Sequence, residues 1–229
     1  MRAVLDKFRA GPSRLLDLAC GTGRHAFELE QMGWAVEGSD ISPAMVARAR
    51  EAASRRASSV RFHNHSFQTA DCIGRDFDAV ISMFSAIGYL SDHAEFALAL
   101  RNVRRILSPG GTFVFDYWNG PAVLSDYSPV RVLRKQDGSR EILRISETSL
   151  DVMRQVAEVK FTFMTFLDGR KTGEFEEVHN VRFFFPREIE ALLAAGGFQV
   201  AYMSPFLELD RPVHPHDWNV TIAAVVSNP

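Results

Sequence analysis

The sequence predicts an α/β fold, a doubly wound and mainly parallel sheet with a small antiparallel sheet inserted after its fifth strand. Three observations lead there. Across residues 14–116, short apolar runs alternate with helix-length segments, a spacing that implies parallel pairing through right-handed crossovers. Across residues 130–185 the pattern becomes alternating stretches with no helix between them, and Asp137-Gly138 and Asp168-Gly169 are hairpin-type turn signals. From Pro186 the α/β pattern resumes.

Taken in order, Arg14 to Ala19 is a short apolar run ending in glycines, hence a strand. Arg24 to Met32 reads as a helix stopped by Gly33. Ala35 to Ser39 is the second strand. Ser42-Pro43 opens a helix to about Arg56, with serine at the N-cap and proline in the first helical position. Val60 to Phe62 and Phe77 to Met83 are the third and fourth strands. Asp92 to Leu107 is an amphipathic helix closed by Ser108-Pro109-Gly110-Gly111, and Thr112 to Asp116 is the fifth strand. In the inserted region, Val130–Arg134, Glu141–Ile145 and Val159–Phe163 read as strands. Pro186 to Ala195 is a helix with Gly196-Gly197 as its stop, followed by strands at Phe198–Met203 and Val220–Val226. Residues 1–128 and 186–229 therefore form one α/β domain, and residues 129–185 an inserted antiparallel β subdomain.

Composition narrows the function. With 26 basic and 28 acidic residues the formal charge is −2, so no basic excess points to nucleic acid or to a membrane surface. No apolar run is long enough to span a bilayer, and Met1-Arg2-Ala3-Val4-Leu5-Asp6-Lys7 does not read as a signal peptide. The two cysteines, Cys20 and Cys72, make no disulfide framework and lack metal-site spacing, which fits the cytoplasm.

The most informative stretch is Leu15-Leu16-Asp17-Leu18-Ala19-Cys20-Gly21-Thr22-Gly23. It falls at a strand-to-helix turn, where an open α/β sheet binds its ligand. Gly21 and Gly23 allow close backbone approach. Asp40 ends the second strand, roughly 20 residues on, where a ribose-binding carboxylate is expected. Gly21-x-Gly23-x-x-Ala26 also matches a dinucleotide fingerprint, but Asp17 would repel a pyrophosphate over this turn. S-adenosylmethionine (SAM) carries an ammonium and a sulfonium there, and a carboxylate attracts both.

Asp17 to Gly23 resembles motif I of the class I SAM-dependent methyltransferases, and Asp40 resembles their ribose-binding acid. Met83 to Leu90 and Leu107 to Gly111 are similar to the branch that contains nucleotide-linked amino-sugar N-methyltransferases, whose members also insert a small antiparallel sheet after strand five. The resemblance implies a Rossmann-like fold with SAM as cofactor. It implies that Asp17, Ala19, Gly21 and Gly23 line the methionine portion, that Asp40 holds the ribose, and that Ile41 and Met45 lie against the adenine. Ser66 and Phe67 meet the adenine edge, and Met83 offers its backbone carbonyl. Ser66 stands where the family usually has an acid. Met1 to Ser13 stand where relatives carry a longer helical segment that lids the cofactor.

Methyl transfer is an in-line displacement. A neutral amine attacks without a strong base, whereas a hydroxyl needs one, or a metal. Asp116, Tyr117 and Trp118 follow the carboxyl end of strand five, and Tyr89 follows strand four. Together with His179 of the inserted sheet they are the catalytic candidates, walling a cavity toward which the methyl group points. Arg182 is a candidate contact for a phosphate or carboxylate. His214, His216 and Asp217 are separated by prolines with no fourth ligand apparent, so no metal site is expected. The leading reading is a SAM-dependent methyltransferase acting on a small polar acceptor such as the amine of a nucleotide-linked amino sugar. The alternatives are O-methylation of a small metabolite, with His179 or Asp116 as base, and a SAM-binding domain without catalysis. Expected partners are a small-molecule acceptor, no nucleic acid and no membrane, with the inserted sheet as a homodimer surface.

Overall fold

A computed structural model describes Leu5, residues 14–206 and residues 208–227. The rest of the segment Met1 to Ser13 lies outside the described residues.

Five strands form the parallel core: β1 (Arg14–Leu18), β2 (Ala35–Ser39), β3 (Arg61–His63), β4 (Phe77–Ser82) and β5 (Leu107–Asn119). Their order is β3-β2-β1-β4-β5. The last two strands, β10 (Phe198–Pro205) and β11 (Asn219–Val226), add on antiparallel, with β11 beside β5. The connecting helices are α1 (Arg24–Gln31), α2 (Pro43–Arg56), α3 (His93–Ile106), α4 (Gly120–Ser125) and α5 (Pro186–Ala195). Local chemistry sets their ends. Ser42 accepts a hydrogen bond from the Met45 amide ahead of Pro43, Asp92 accepts from the Ala94 and Glu95 amides to start α3, and Gly33 after α1 has φ +91°.

Both faces of the parallel sheet are covered, which is why its strands read as continuous apolar runs. Leu16, Val80, Phe113 and Phe115 pack with α3 and α5 on one side. Leu15, Ile81 and Val114 pack with α1 and α2 on the other. The strand order reverses between β1 and β4, so a crevice opens at their carboxyl ends.

The antiparallel insertion has four strands, β6 (Val130–Asp137), β7 (Arg140–Asp151), β8 (Val156–Leu167) and β9 (Arg170–Phe184). Positive φ at Gly138, Asp168 and Gly169 makes the two anticipated turns. Two features differ from the sequence reading. The end of β9 returns to the main sheet, pairing Phe183 with Trp118 and Phe184 with Asn119 beyond the end of β4. The glycine-containing segment after α3 is drawn into β5, and α4 follows that strand directly. Both depend on partners far away in sequence, which local turn signals do not reveal. Among the described residues, no helix is long and apolar enough to cross a membrane.

Candidate active site

The loop after β1 takes unusual dihedrals, with φ +64° at Ala19, +56° at Gly21 and +79° at Gly23. It is tied to β2 by the Cys20 amide, which donates to the Ser39 carbonyl at 2.9 Å. The Asp40 carboxylate completes the tie. Its Oδ2 accepts from the Gly21 amide at 2.8 Å and its Oδ1 from the Ser42 amide at 2.9 Å. A Cβ on Gly21 would meet nothing within 4 Å, so this residue faces open space.

That space is a cavity of about 600 Å³ over the carboxyl ends of β1, β2 and β4. Asp17, Ala19, Gly21, Asp40 and Ile41 line it from the first two strands. Ser66, Phe67 and Met83 line it from the loops after β3 and β4, Tyr89 from the turn before α3, and His179 from β9. Asp17 is almost wholly buried at 1% exposure, and its Oδ2 has no hydrogen-bond partner. Burial, then repulsion by Asp40, pushes its pKa from 3.8 up to about 7.

Five sequence candidates lie elsewhere. Gly23 does not line the cavity: a Cβ there would sit 2.6 Å from the Phe62 ring, so glycine serves helix–strand packing. Met45 lies in the first turn of α2, 37% exposed and off the cavity wall. Tyr117 is fully buried in the core against Phe184, because its side chain takes the helix-covered face of β5. Trp118, on the other face, packs edge-on against Trp218 beside a second cavity. Asp116 is fully buried too. Its Oδ2 accepts from the amide and hydroxyl of Ser85, each at 2.9 Å, and from Asn219 at 3.1 Å. It therefore holds the turn after β4, where Phe84 and Ser85 have φ of +60° and +57°.

That turn exposes a residue the sequence did not single out. Phe84 is 70% exposed and stacks on His25 with ring centroids 5.1 Å apart, and both line the cavity. No sequence signal marks a left-handed Phe-Ser pair, since neither residue type favours that conformation. Ser66 caps the short 3-10 turn Phe67–Cys72, its hydroxyl accepting from the Gln68 amide at 3.2 Å.

Where the inserted sheet meets the cavity, the Tyr89 hydroxyl lies 2.7 Å from Nδ1 of His179, whose Nε2 lies 3.3 Å from a carboxylate oxygen of Glu177. Burial, then the Glu177 charge, raises the Tyr89 pKa. Arg182 is 3% exposed and paired with Glu188 at 2.6 Å, which removes it as an external anion contact. Asp217 is held by two nitrogens of Arg211 at 2.8 and 2.6 Å, and its Oδ2 also accepts from the His214 amide.

Residues 15–111 match the methyltransferase-domain family. Over 191 residues the chain is 31% identical to a dTDP-3-amino-3,4,6-trideoxy-alpha-D-glucopyranose N,N-dimethyltransferase of Streptomyces venezuelae, spanning 83% of this chain and 77% of that protein. The chain belongs to the class I SAM-dependent methyltransferases. A second relative of this methyltransferase, a dTDP-3-amino-3,6-dideoxy-alpha-D-glucopyranose N,N-dimethyltransferase of Streptomyces fradiae, is 29% identical over 205 residues, covering 89% of this chain and 76% of that one. Among solved structures, a SAM-bound amino pentose methyltransferase from Micromonospora echinaspora aligns with a TM-score of 0.78 at 28% identity, over 99% of this chain and 89% of that one. A SAM-dependent methyltransferase from Clostridium acetobutylicum shares the fold at a TM-score of 0.84 and 20% identity, over 99% of this chain and 88% of that one. The enzyme uses SAM, and its Rossmann-like sheet with an antiparallel insertion is the fold these relatives share.

Proposed function

We propose that this methyltransferase holds SAM in the 600 Å³ cavity and methylates the amine of a small polar acceptor, an amino sugar linked to a nucleoside diphosphate. The observation that carries the acceptor half is the hydrogen bond between Tyr89 and His179 on the cavity wall, from two segments 90 residues apart.

The cavity's polar groups fit the cofactor. Asp17 keeps a buried carboxylate oxygen without a protein partner, and an ammonium would satisfy it. Asp40 holds the glycine loop while its remaining lone pairs can accept from ribose hydroxyls. Ile41 and Phe67 offer apolar surface for the adenine, and Ala19, Gly21 and Met83 bring backbone close to the methionine portion. Ser66 gives one lone pair of its hydroxyl to the 3-10 turn, and Gln68 beside it adds a side-chain amide to the adenine edge.

SAM, when bound, supplies an electrophilic methyl group on a sulfonium. The acceptor nitrogen must then present a free lone pair in line. Tyr89 is a protonated phenol, because its burial disfavours the phenolate. With the phenol donating to Nδ1, His179 carries its hydrogen on Nε2 and directs it to Glu177. The phenol oxygen can accept an N–H from the acceptor amine. The proton lost from nitrogen passes to the Tyr89 oxygen as the phenol hands its own proton to Nδ1 of His179, and the Nε2 proton moves on toward Glu177, whose side chain is half-exposed. Asp116, the other candidate base for a hydroxyl acceptor, is fully buried and does not line the cavity, with its Oδ2 held by Ser85 and Asn219, which favours an amine. The relatives named above support the sugar-nucleotide class.

Incubation with methyl-labelled SAM and matched dTDP-amino and dTDP-hydroxy sugars, followed by mass spectrometry, tests this. Label should enter the amino sugars alone. Transfer to the hydroxy sugars, or to neither set, would overturn the acceptor assignment. The same reading sets the enzyme in the cytoplasm with Cys20 and Cys72 reduced, and as a homodimer through β6, whose residues are all exposed. A monomer by light scattering would remove the dimer.

A further inference from the structure

A second cavity, of about 160 Å³, lies under the inserted sheet between β7, β8 and the Trp118–Trp218 pair. Register places it beside the first one. Directly opposed residues of an antiparallel sheet share a face. Arg131 opposes Ser146, Ser146 opposes Phe161, and Phe161 opposes Glu177, giving one row across β6 to β9. The next row runs Thr148, Val159, His179. Arg131, Ser146, Thr148, Val159 and Phe161 thus share a sheet face with His179, and all five line the second cavity. Phe161 joins the two cavities directly, its ring centroid 5.4 Å from that of His179.

Two arginines dominate this cavity, and neither has a carboxylate partner among the described residues. The Arg131 guanidinium lies 5.0 Å from the Trp218 ring centre, and that of Arg144 lies 5.2 Å from the Phe161 ring centre. Nε of Arg144 is buried with no hydrogen-bond partner. By contrast, Arg14, Arg134, Arg182 and Arg211 each meet an acid within 3 Å. Two guanidiniums converging on an aromatic-walled hollow without a counter-charge are a cationic site lacking its anion. Planar forks of this kind suit the oxygens of a phosphate. The volume is below the roughly 300 Å³ of a whole small-molecule site, so the hollow suits an anionic group and not an entire nucleotide. The Arg144 guanidinium lies 5.2 Å from the Phe161 ring centre, which lies 5.4 Å from that of His179, so guanidinium and imidazole are no more than about 11 Å apart, within the span of a sugar ring and the phosphates on it.

We propose that Arg131, Arg144, Trp118 and Trp218 form an anion subsite that holds the diphosphate of the acceptor while its amine lies at Tyr89 and His179. The choice of a diphosphate rests on the acceptor reading above; the preference for an anion rests on the cavity. Trp118 then wall-papers this subsite with its indole and does not touch the reacting nitrogen.

Titration calorimetry on the SAM-loaded protein tests the subsite, with thymidine diphosphate and thymidine as probes. Thymidine diphosphate should bind, and thymidine at least about tenfold more weakly. Arg131→Gln and Arg144→Gln should each weaken the diphosphate at least about tenfold while SAM affinity stays unchanged, which also certifies folding. Arg131 is exposed, so its variant keeps the test alive should Arg144→Gln not fold. Absence of diphosphate binding to the wild type, equal binding by wild type and variants, or equal binding of thymidine would each overturn the subsite. A methyl-transfer assay separates this from the acceptor reading. Amino sugar nucleotides methylated with a KM indifferent to both substitutions leave the acceptor standing and remove the subsite. Arginine-dependent diphosphate binding without methylation of any amino sugar nucleotide does the reverse.

Discussion

The proposed cofactor and acceptor walls of the cavity are built at different distances along the chain. On the cofactor wall, the Gly21–Asp40 hydrogen bond spans 19 residues, and the Cys20 amide reaches Ser39 one strand away. On the acceptor wall, Tyr89 meets His179 across 90 residues, Asp116 meets Asn219 across 103, and Ser85 meets Asn219 across 134. The centre of the cofactor wall is one strand–helix–strand unit, whose own turn chemistry fixes its geometry, and Ser66, Phe67 and Met83 join it from the loops after β3 and β4. The acceptor wall exists only after β9 has run back alongside β5. A motif can record the first. The second is spread over segments with no fixed spacing, and a family can vary them to change acceptor while keeping its cofactor.

On the cofactor wall, the largest effect belongs to Gly21→Val. The position has φ +56° and faces the cavity, so valine strains the backbone by about 1–2 kcal/mol and fills cofactor space. SAM binding should fall at least about a hundredfold with native circular dichroism; a folded variant with normal SAM affinity would show that the turn is merely structural.

Next comes Asp17→Asn, which should weaken SAM about tenfold to a hundredfold, as loss of one charge-assisted contact does. Its pH dependence is the sharper test. Asp17 binds its proton more tightly when folded, with a pKa of about 7 against 3.8, so its contribution to stability is full below about pH 4 and lost as pH rises toward 7. The cofactor's ammonium favours the ionised form. Wild-type SAM affinity should therefore climb between about pH 6 and 8, and the asparagine variant should lose that climb. A flat wild-type profile by calorimetry would remove Asp17 from the ammonium.

On the other wall, His179→Ala should lower kcat by about tenfold or more and leave SAM affinity nearly intact. Loss of stability with unchanged turnover per folded molecule would make the histidine a packing residue. The smallest effect belongs to Tyr117→Phe. Its hydroxyl is buried without a partner, so kcat and KM should not move, and stability should change by no more than about 1 kcal/mol. A large fall in kcat would return Tyr117 to the acceptor site.

The sequence determined what short-range chemistry determines. Strand periodicity, the Ser42-Pro43 and Asp92 helix starts, the hairpin turns and the motif-I loop were all readable because each depends on residues within about a helical turn or one strand–helix–strand unit. Of the proposed cofactor residues, Asp17, Ala19, Gly21, Asp40 and Ile41 line one cavity, whereas Gly23 belongs to packing and Met45 to the surface of α2. Reaching the acceptor wall by the same logic failed at β5. Alternation says that Asp116 and Trp118 share one face and Tyr117 the other, but not which face meets a helix and which a cavity. Tertiary structure decided that: α3, α5 and Phe184 bury Tyr117, Asn219 and Ser85 enclose Asp116, and Trp218 takes Trp118. It likewise brought Tyr89 to His179 and turned Phe84 outward, because a contact made across strands is fixed by register and by how the sheet is covered, and neither is written in any one segment.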